Sequence, residues 1–201
     1  MLSGEVYSTI GGGQHSPPGV ADQGRELESM DSPSGVDIGD GGSLTMTKCT
    51  STGGTINVLE GASLVIEDGH VFDNNTGGSS NGVHCSGDVK ATRCTDEQHG
   101  STGLSVVGEH ASGELVVCVI RKNQGHGVVA NGNYSLAKLM LRGGTVSENK
   151  SSGVLATRGG KVTVAKAEEG KPQTVSRENG CHSWSTEGGE IIGIPQEKID
   201  I

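Results

Sequence analysis

Short aliphatic alternations punctuated by glycine recur along the chain. Leu44-Thr45-Met46, Leu64-Val65-Ile66, Leu115-Val116-Val117 and Val162-Thr163-Val164 each place apolar side chains two residues apart. That is the period of a β-strand with one buried face. Helical periodicity is nearly absent, and the one stretch of helical composition, Val164 to Gly170, is too short to need a helix. Tyr134 to Leu141 is ambiguous in register: Leu136 and Met140 share one parity, Ala137, Leu139 and Leu141 the other. The pattern predicts an all-β chain.

The strands belong to a repeat. One unit reads small, polar, aliphatic: Gly42-Ser43-Leu44, Ala62-Ser63-Leu64, Gly87-Asp88-Val89, Gly113-Glu114-Leu115, Tyr134-Ser135-Leu136, Gly160-Lys161-Val162 and Gly189-Glu190-Ile191. A second unit places Asn four residues before a small residue and an apolar one: Asn123 to Gly127-Val128, Asn149 to Gly153-Val154, Asn179 to Ser183-Trp184. A period this short describes a coil that returns over itself, each coil stacking on the last at the strand spacing of ~4.8 Å. Asn tolerates the left-handed backbone of a turn, and stacked amides can hydrogen-bond from coil to coil. Asn123, Asn149 and Asn179 are the expected structural ladder.

From about residue 42 to 194 these repeats resemble the right-handed parallel β-helix of pectin-lyase-like proteins. The resemblance implies an all-β, right-handed parallel β-helix solenoid of about seven coils. It implies no one activity, because this fold hosts lyases, hydrolases, adhesins and non-catalytic modules. Residues 1–41, with Gly11-Gly12-Gly13, Ser16-Pro17-Pro18 and the acidic run from Asp22 to Asp31, stand outside the repeat. They read as a polar leader, either an N-terminal cap or disordered chain. Residues 195–201 read as a short tail beginning at Pro195.

Composition supports thin layers over one bulky core. Of 201 residues, 35 are Gly and only four are aromatic: Tyr7, Phe72, Tyr134 and Trp184. A layered domain of this length needs more bulky side chains than that. The formal net charge of -9, with basic residues scattered, argues against a nucleic-acid partner. No apolar run approaches the ~20 residues of a membrane span, and no signal peptide is visible at Met1-Leu2-Ser3-Gly4-Glu5, so the expected location is the cytoplasm or is left open. Five cysteines without a Cys-x-x-Cys spacing read as thiols, most of them buried, rather than a disulfide framework.

Three residues are candidates for catalysis. Gly125-His126-Gly127 resembles a tripeptide of polygalacturonase-like β-helix hydrolases, which implies catalytic acids beside His126. The expected acid pair is missing, the nearest acids on the preceding coil reading as Glu109 and Glu114. Asp88 and Glu114 fill the same polar slot in successive copies, so their carboxylates are expected about 5 Å apart, with Lys90 as their one basic neighbour. His126 and His182 share a slot two coils apart, too far to hold one ion, as do Cys49 and Cys94 for a disulfide. No cofactor or metal is expected, and Trp184 is expected to fill or cap the last coil. The sequence favours a non-catalytic scaffold or binding module offering a surface to a protein or a glycan. The alternative is a pectin-lyase-like carbohydrate-active enzyme, either a polysaccharide lyase or a glycoside hydrolase.

Overall fold

A computed structural model describes residues 29–32, 35–39, 41–72, 80–165 and 174–193. These residues form strands and turns, with no helix among them, and every strand pair is parallel. Each coil has three faces. The first carries Ser43–Thr47, Ser63–Glu67, Asp88–Thr92, the first halves of Ser112–Arg121 and Lys138–Ser147, then Lys161–Val164 and Glu190–Ile192. The second carries Ser29–Ser32, Thr50–Gly53, His70–Phe72, Thr95–Glu97, the second halves of the two long strands, and Thr174–Arg177. The third runs from Val36–Ile38 through Ile56–Val58, Val83–Cys85, Leu104–Val107, Val128–Asn131 and Ser152–Thr157 to Cys181–Thr186.

The core is a set of inward columns rather than a cluster of large side chains. Met46, Ile66, Ala91, Leu115, Leu141 and Val164 stack on the first face, and Ile38, Val58, Cys85, Val106, Ala130 and Ala156 on the third. All of these are buried. Burial at ~25 cal/mol per Å² of apolar area is thus supplied by medium and small side chains, repeated coil by coil.

Two expectations need correction. The repeat begins before residue 42: Ser29–Ser32 pairs with Thr50–Gly53, and Val36–Ile38 with Ile56–Val58. Ser29–Ser32 is too polar to show aliphatic alternation, and Val36-Asp37-Ile38 shows it but lacks the small residue that opens the repeat unit. Residues 1–28 of the proposed leader, and the tail from 195 to 201, lie outside the described residues. Among the described residues each face carries seven strands, the last coil supplying Thr174–Arg177, Cys181–Thr186 and Glu190–Ile192. The small-residue column at the corner between the third and first faces is Gly42, Ala62, Gly87, Ala111, Ala137, Gly160 and Gly189, as the coil-to-coil bonds at this corner show. Ala111 and Ala137 stand where Gly113 and Tyr134 were expected. The column is small by necessity, since a Cβ at Gly160 would lie 2.1 Å from the carbonyl oxygen of Ala130.

The corners themselves are made by left-handed residues that are mostly not glycine. Lys48, Asp68, Arg93 and Val117 take φ of 53° to 55° between the first and second faces. Gln98, Lys122, Glu148 and Glu178 do the same between the second and third, each immediately before the residue at the ladder position. Each such residue costs about 1–2 kcal/mol, which the closure of a coil must offset. Val117 is the most strained by chemistry, being β-branched and 41% exposed, with no burial to compensate.

Candidate functional site

The outer surface of the first face holds a shallow cleft of about 600 Å³. Alternation along parallel strands aims every second side chain outward, and stacking lines these into columns. One column reads Ser63, Asp88, Ser112, Lys138, Lys161 and Glu190; the next reads Val65, Lys90, Glu114, Met140 and Thr163. Asp88 therefore faces Ser112, not Glu114, and Glu114 lies beside Lys90. The expected carboxylate pair does not form.

The reason is Gly113, which occupies the inward slot between Val89 and Leu139. The true copy is Ala111-Ser112-Gly113, two residues before the one expected. Ser112 Oγ donates to Asp88 Oδ1 at 2.5 Å. Glu114 is held between two cations, with Arg142 Nε 2.8 Å from Oε1 and Lys90 Nζ 3.6 Å from Oε2. The cleft is also lined by Lys138 and Lys161, so four cations face two carboxylates. Lys161 reaches Glu190 at 2.9 Å, while Lys138 makes no ion pair among the described residues. Lys90 is thus one of several basic neighbours.

His126 lies on another part of the coil, in the connection to the third face. Its Nδ1 accepts the backbone N–H of Ser152 at 3.2 Å, which leaves the proton of the neutral ring on Nε2. Burial holds its pKa below the usual imidazole value of 6.5. The unfolded state therefore binds this proton more readily, so folding stability contributed here falls as pH drops through 6.5 toward the lower folded value. His126→Gln is expected to flatten that part of a stability–pH curve measured by urea unfolding. An unchanged curve would mean that Nδ1 is not the group being protonated.

The preceding coil does carry adjacent acids, Asp96-Glu97, which sequence reasoning overlooked. Neither is placed against His126. Glu97 receives Arg121 Nε at 2.6 Å and lies 3.1 Å from His70 Nε2. Burial raises its carboxyl, but the bond and charge of Arg121, with His70, outweigh this and hold it below the usual range. Asp96 points into the core, in the column of Val71 and Ile120, with Oδ1 3.4 Å from the Nε2 of buried His99. A buried carboxylate at an apolar position breaks the pattern that sequence reading follows. The one available signal was His99 three residues on, at the position the Asn ladder occupies higher up.

The ladder runs through successive turns. Asn123 Nδ2 donates to Asn149 Oδ1 at 2.9 Å, and Asn149 Nδ2 to Asn179 Oδ1 at 2.8 Å. The backbone N–H groups of His99, Asn123 and Asn149 donate to the side-chain oxygens of Asn123, Asn149 and Asn179, at 3.0 to 3.1 Å. In the last coil the register slips by one: Ser152, the next-coil neighbour of His126, pairs with Cys181, and Leu155 with Trp184. His182 is therefore not in the slot of His126. The rings of His182 and Trp184 lie outside the described side chains, so the filling or capping of the last coil is not described.

No disulfide joins the five cysteines, and four of them are buried. Cys94 and Cys118 sit at the same corner on adjacent coils, the column that also holds Cys49 two coils before Cys94. Among the described residues no three metal-ligating side chains come together. No curated protein and no solved structure matches the chain. The description of a right-handed β-helix region matches residues 24–167, overlapping the parallel coils seen here, and the chain belongs to that family.

Proposed function

We propose that the protein is a non-catalytic β-solenoid binding module whose first face takes an acidic glycan. The observation that carries this reading is the state of the cleft charges. Both carboxylates are already engaged, Glu114 by Arg142 and Lys90 and Asp88 by Ser112, while Lys138 is left to meet a ligand. A lyase or hydrolase needs a group that can give or take a proton at the scissile bond. Neither cleft carboxylate is left unpartnered, and His126 lies apart from them, in the connection to the third face.

The chain's net charge of -9 does not govern this site. At 0.1 M salt charges are screened beyond ~10 Å, so a ligand in the cleft feels Lys90, Lys138, Arg142 and Lys161 first. Leu136, 44% exposed, lines the cleft, and Tyr134 on the same turn is 77% exposed with the Arg158 guanidinium 5.7 Å from its ring centre. An apolar rim beside cations suits a sugar ring that carries a carboxylate.

Titration calorimetry with oligogalacturonate and with a neutral β-glucan oligomer tests the proposal. The acidic oligomer should bind, more weakly as salt rises, and Lys138→Glu should weaken it about tenfold, the effect of ~1.4 kcal/mol. Equal affinity for the neutral oligomer, or no binding, would remove the acidic glycan. Release of new reducing or unsaturated ends, abolished by Glu114→Gln, would replace the binding module with an enzyme.

A further inference from the structure

We propose that Cys94 and Cys118 form an oxidation site, in which hydrogen peroxide closes a disulfide between adjacent coils. Thr95 pairs in register with Val119, and Val119 N–H donates to the Cys94 carbonyl at 2.8 Å, so the two cysteines are stacked neighbours. Stacked strands lie roughly 4.8 Å apart, inside the Cα separation of about 4.4 to 6.8 Å that a disulfide spans. Both are buried, at 5% and 4% exposure, and each thiol lies against a carbonyl of the coil before it, Cys94 Sγ 3.3 Å from Ile66 O and Cys118 Sγ 3.4 Å from Ala91 O.

The column makes this pair unique. Gly69 occupies the slot between Cys49 and Cys94, and Gly144 the slot after Cys118. Cys85 and Cys181 are on the third face, and burial pushes the Cys85 thiol up to about 12. Cys94 and Cys118 also line an internal cavity of about 20 Å³, together with Asp96.

Of the two thiols, Cys94 loses its proton first. The hydrogen bond from Cys118 lowers it, while the same contact, together with burial, raises Cys118. The Cys94 thiolate attacks one peroxide oxygen, the O–O bond breaks, and hydroxide leaves a sulfenic acid. The Cys118 sulfur then attacks that sulfur, the S–O bond breaks, and its hydroxyl leaves as water with the Cys118 proton. The released hydroxide and the proton lost from Cys94 make the second water. Two thiols are oxidised by two electrons and one peroxide is reduced to two waters.

The test exposes the native full chain to hydrogen peroxide, removes the oxidant with catalase, then unfolds, alkylates and maps the peptides. Untreated protein should take five alkyl groups, one per cysteine, and treated protein three. One cross-linked peptide should join Cys94 to Cys118 and separate with dithiothreitol. Cys49→Ser should keep that cross-link and Cys118→Ser should lose it. Five alkyl groups after treatment, a cross-link between another pair, or sulfinic acid at Cys94 without a cross-link would each overturn the proposal. Because wild-type mapping alone discriminates these results, a Cys118→Ser chain that fails to fold leaves the test intact.

Discussion

Asn149→Ala is expected to lower the unfolding free energy by about 3 kcal/mol, measured by urea denaturation, with the slope of the transition unchanged. Asn149 is 1% exposed and stands in the middle of the ladder. Its Oδ1 accepts from both the backbone N–H and the Nδ2 of Asn123, and its Nδ2 donates to Asn179 Oδ1. Truncation leaves the backbone and Nδ2 donors of Asn123, itself fully buried, facing an empty slot. An unsatisfied buried donor costs about 1–3 kcal/mol, well above the ~1 kcal/mol net worth of an ordinary hydrogen bond. Asn149→Asp should be worse than Ala, since it keeps the acceptor but puts a buried negative oxygen against Asn179 Oδ1. A loss below about 0.5 kcal/mol for Asn149→Ala would show that water replaces the amide and that the ladder does not hold the coils together.

That ladder was legible because its signal is compositional as well as periodic: a lone Asn before a small residue, recurring at coil length. The aliphatic strands were legible from an apolar residue at every second position, a pattern that Ser29–Ser32 and Thr50–Gly53 lack. What sequence could not give was the alignment of one coil on the next. A slip of one residue turns a strand inside out, but a slip of two preserves the buried face and changes only which neighbours meet. Gly113-Glu114-Leu115 and Ala111-Ser112-Gly113 both satisfy the repeat in parity, and only packing chooses between them. The consequence falls on the site, where Asp88 meets Ser112 and Glu114 is left to Lys90 and Arg142. At Tyr134-Ser135-Leu136 the error was of odd length, and so it was larger. Leu136 is exposed at the cleft, and Leu139 takes the inward slot.

Leu139→Ala is expected to cost about 4 kcal/mol, toward the upper end for a buried leucine, because the coil below offers nothing to fill the space. Leu139 is 2% exposed and stacks between Gly113 and Val162. A Cβ placed on Gly113 would lie 2.8 Å from Leu139 Cδ1 and 3.0 Å from Val106 Cγ2, so the leucine already occupies the room a side chain there would use. The two positions share one volume, and their substitutions should not add. Gly113→Ala alone should destabilise by about 1 kcal/mol through overpacking. In the Leu139→Ala chain the same methyl enters a cavity and should restore about 1 kcal/mol, a coupling of about 2 kcal/mol between contacting residues. Additivity within about 0.5 kcal/mol would mean that Gly113 and Leu139 are not neighbours across the coils. The two-residue shift would then be wrong, and with it the separation of Asp88 from Glu114 on which the proposed binding surface rests.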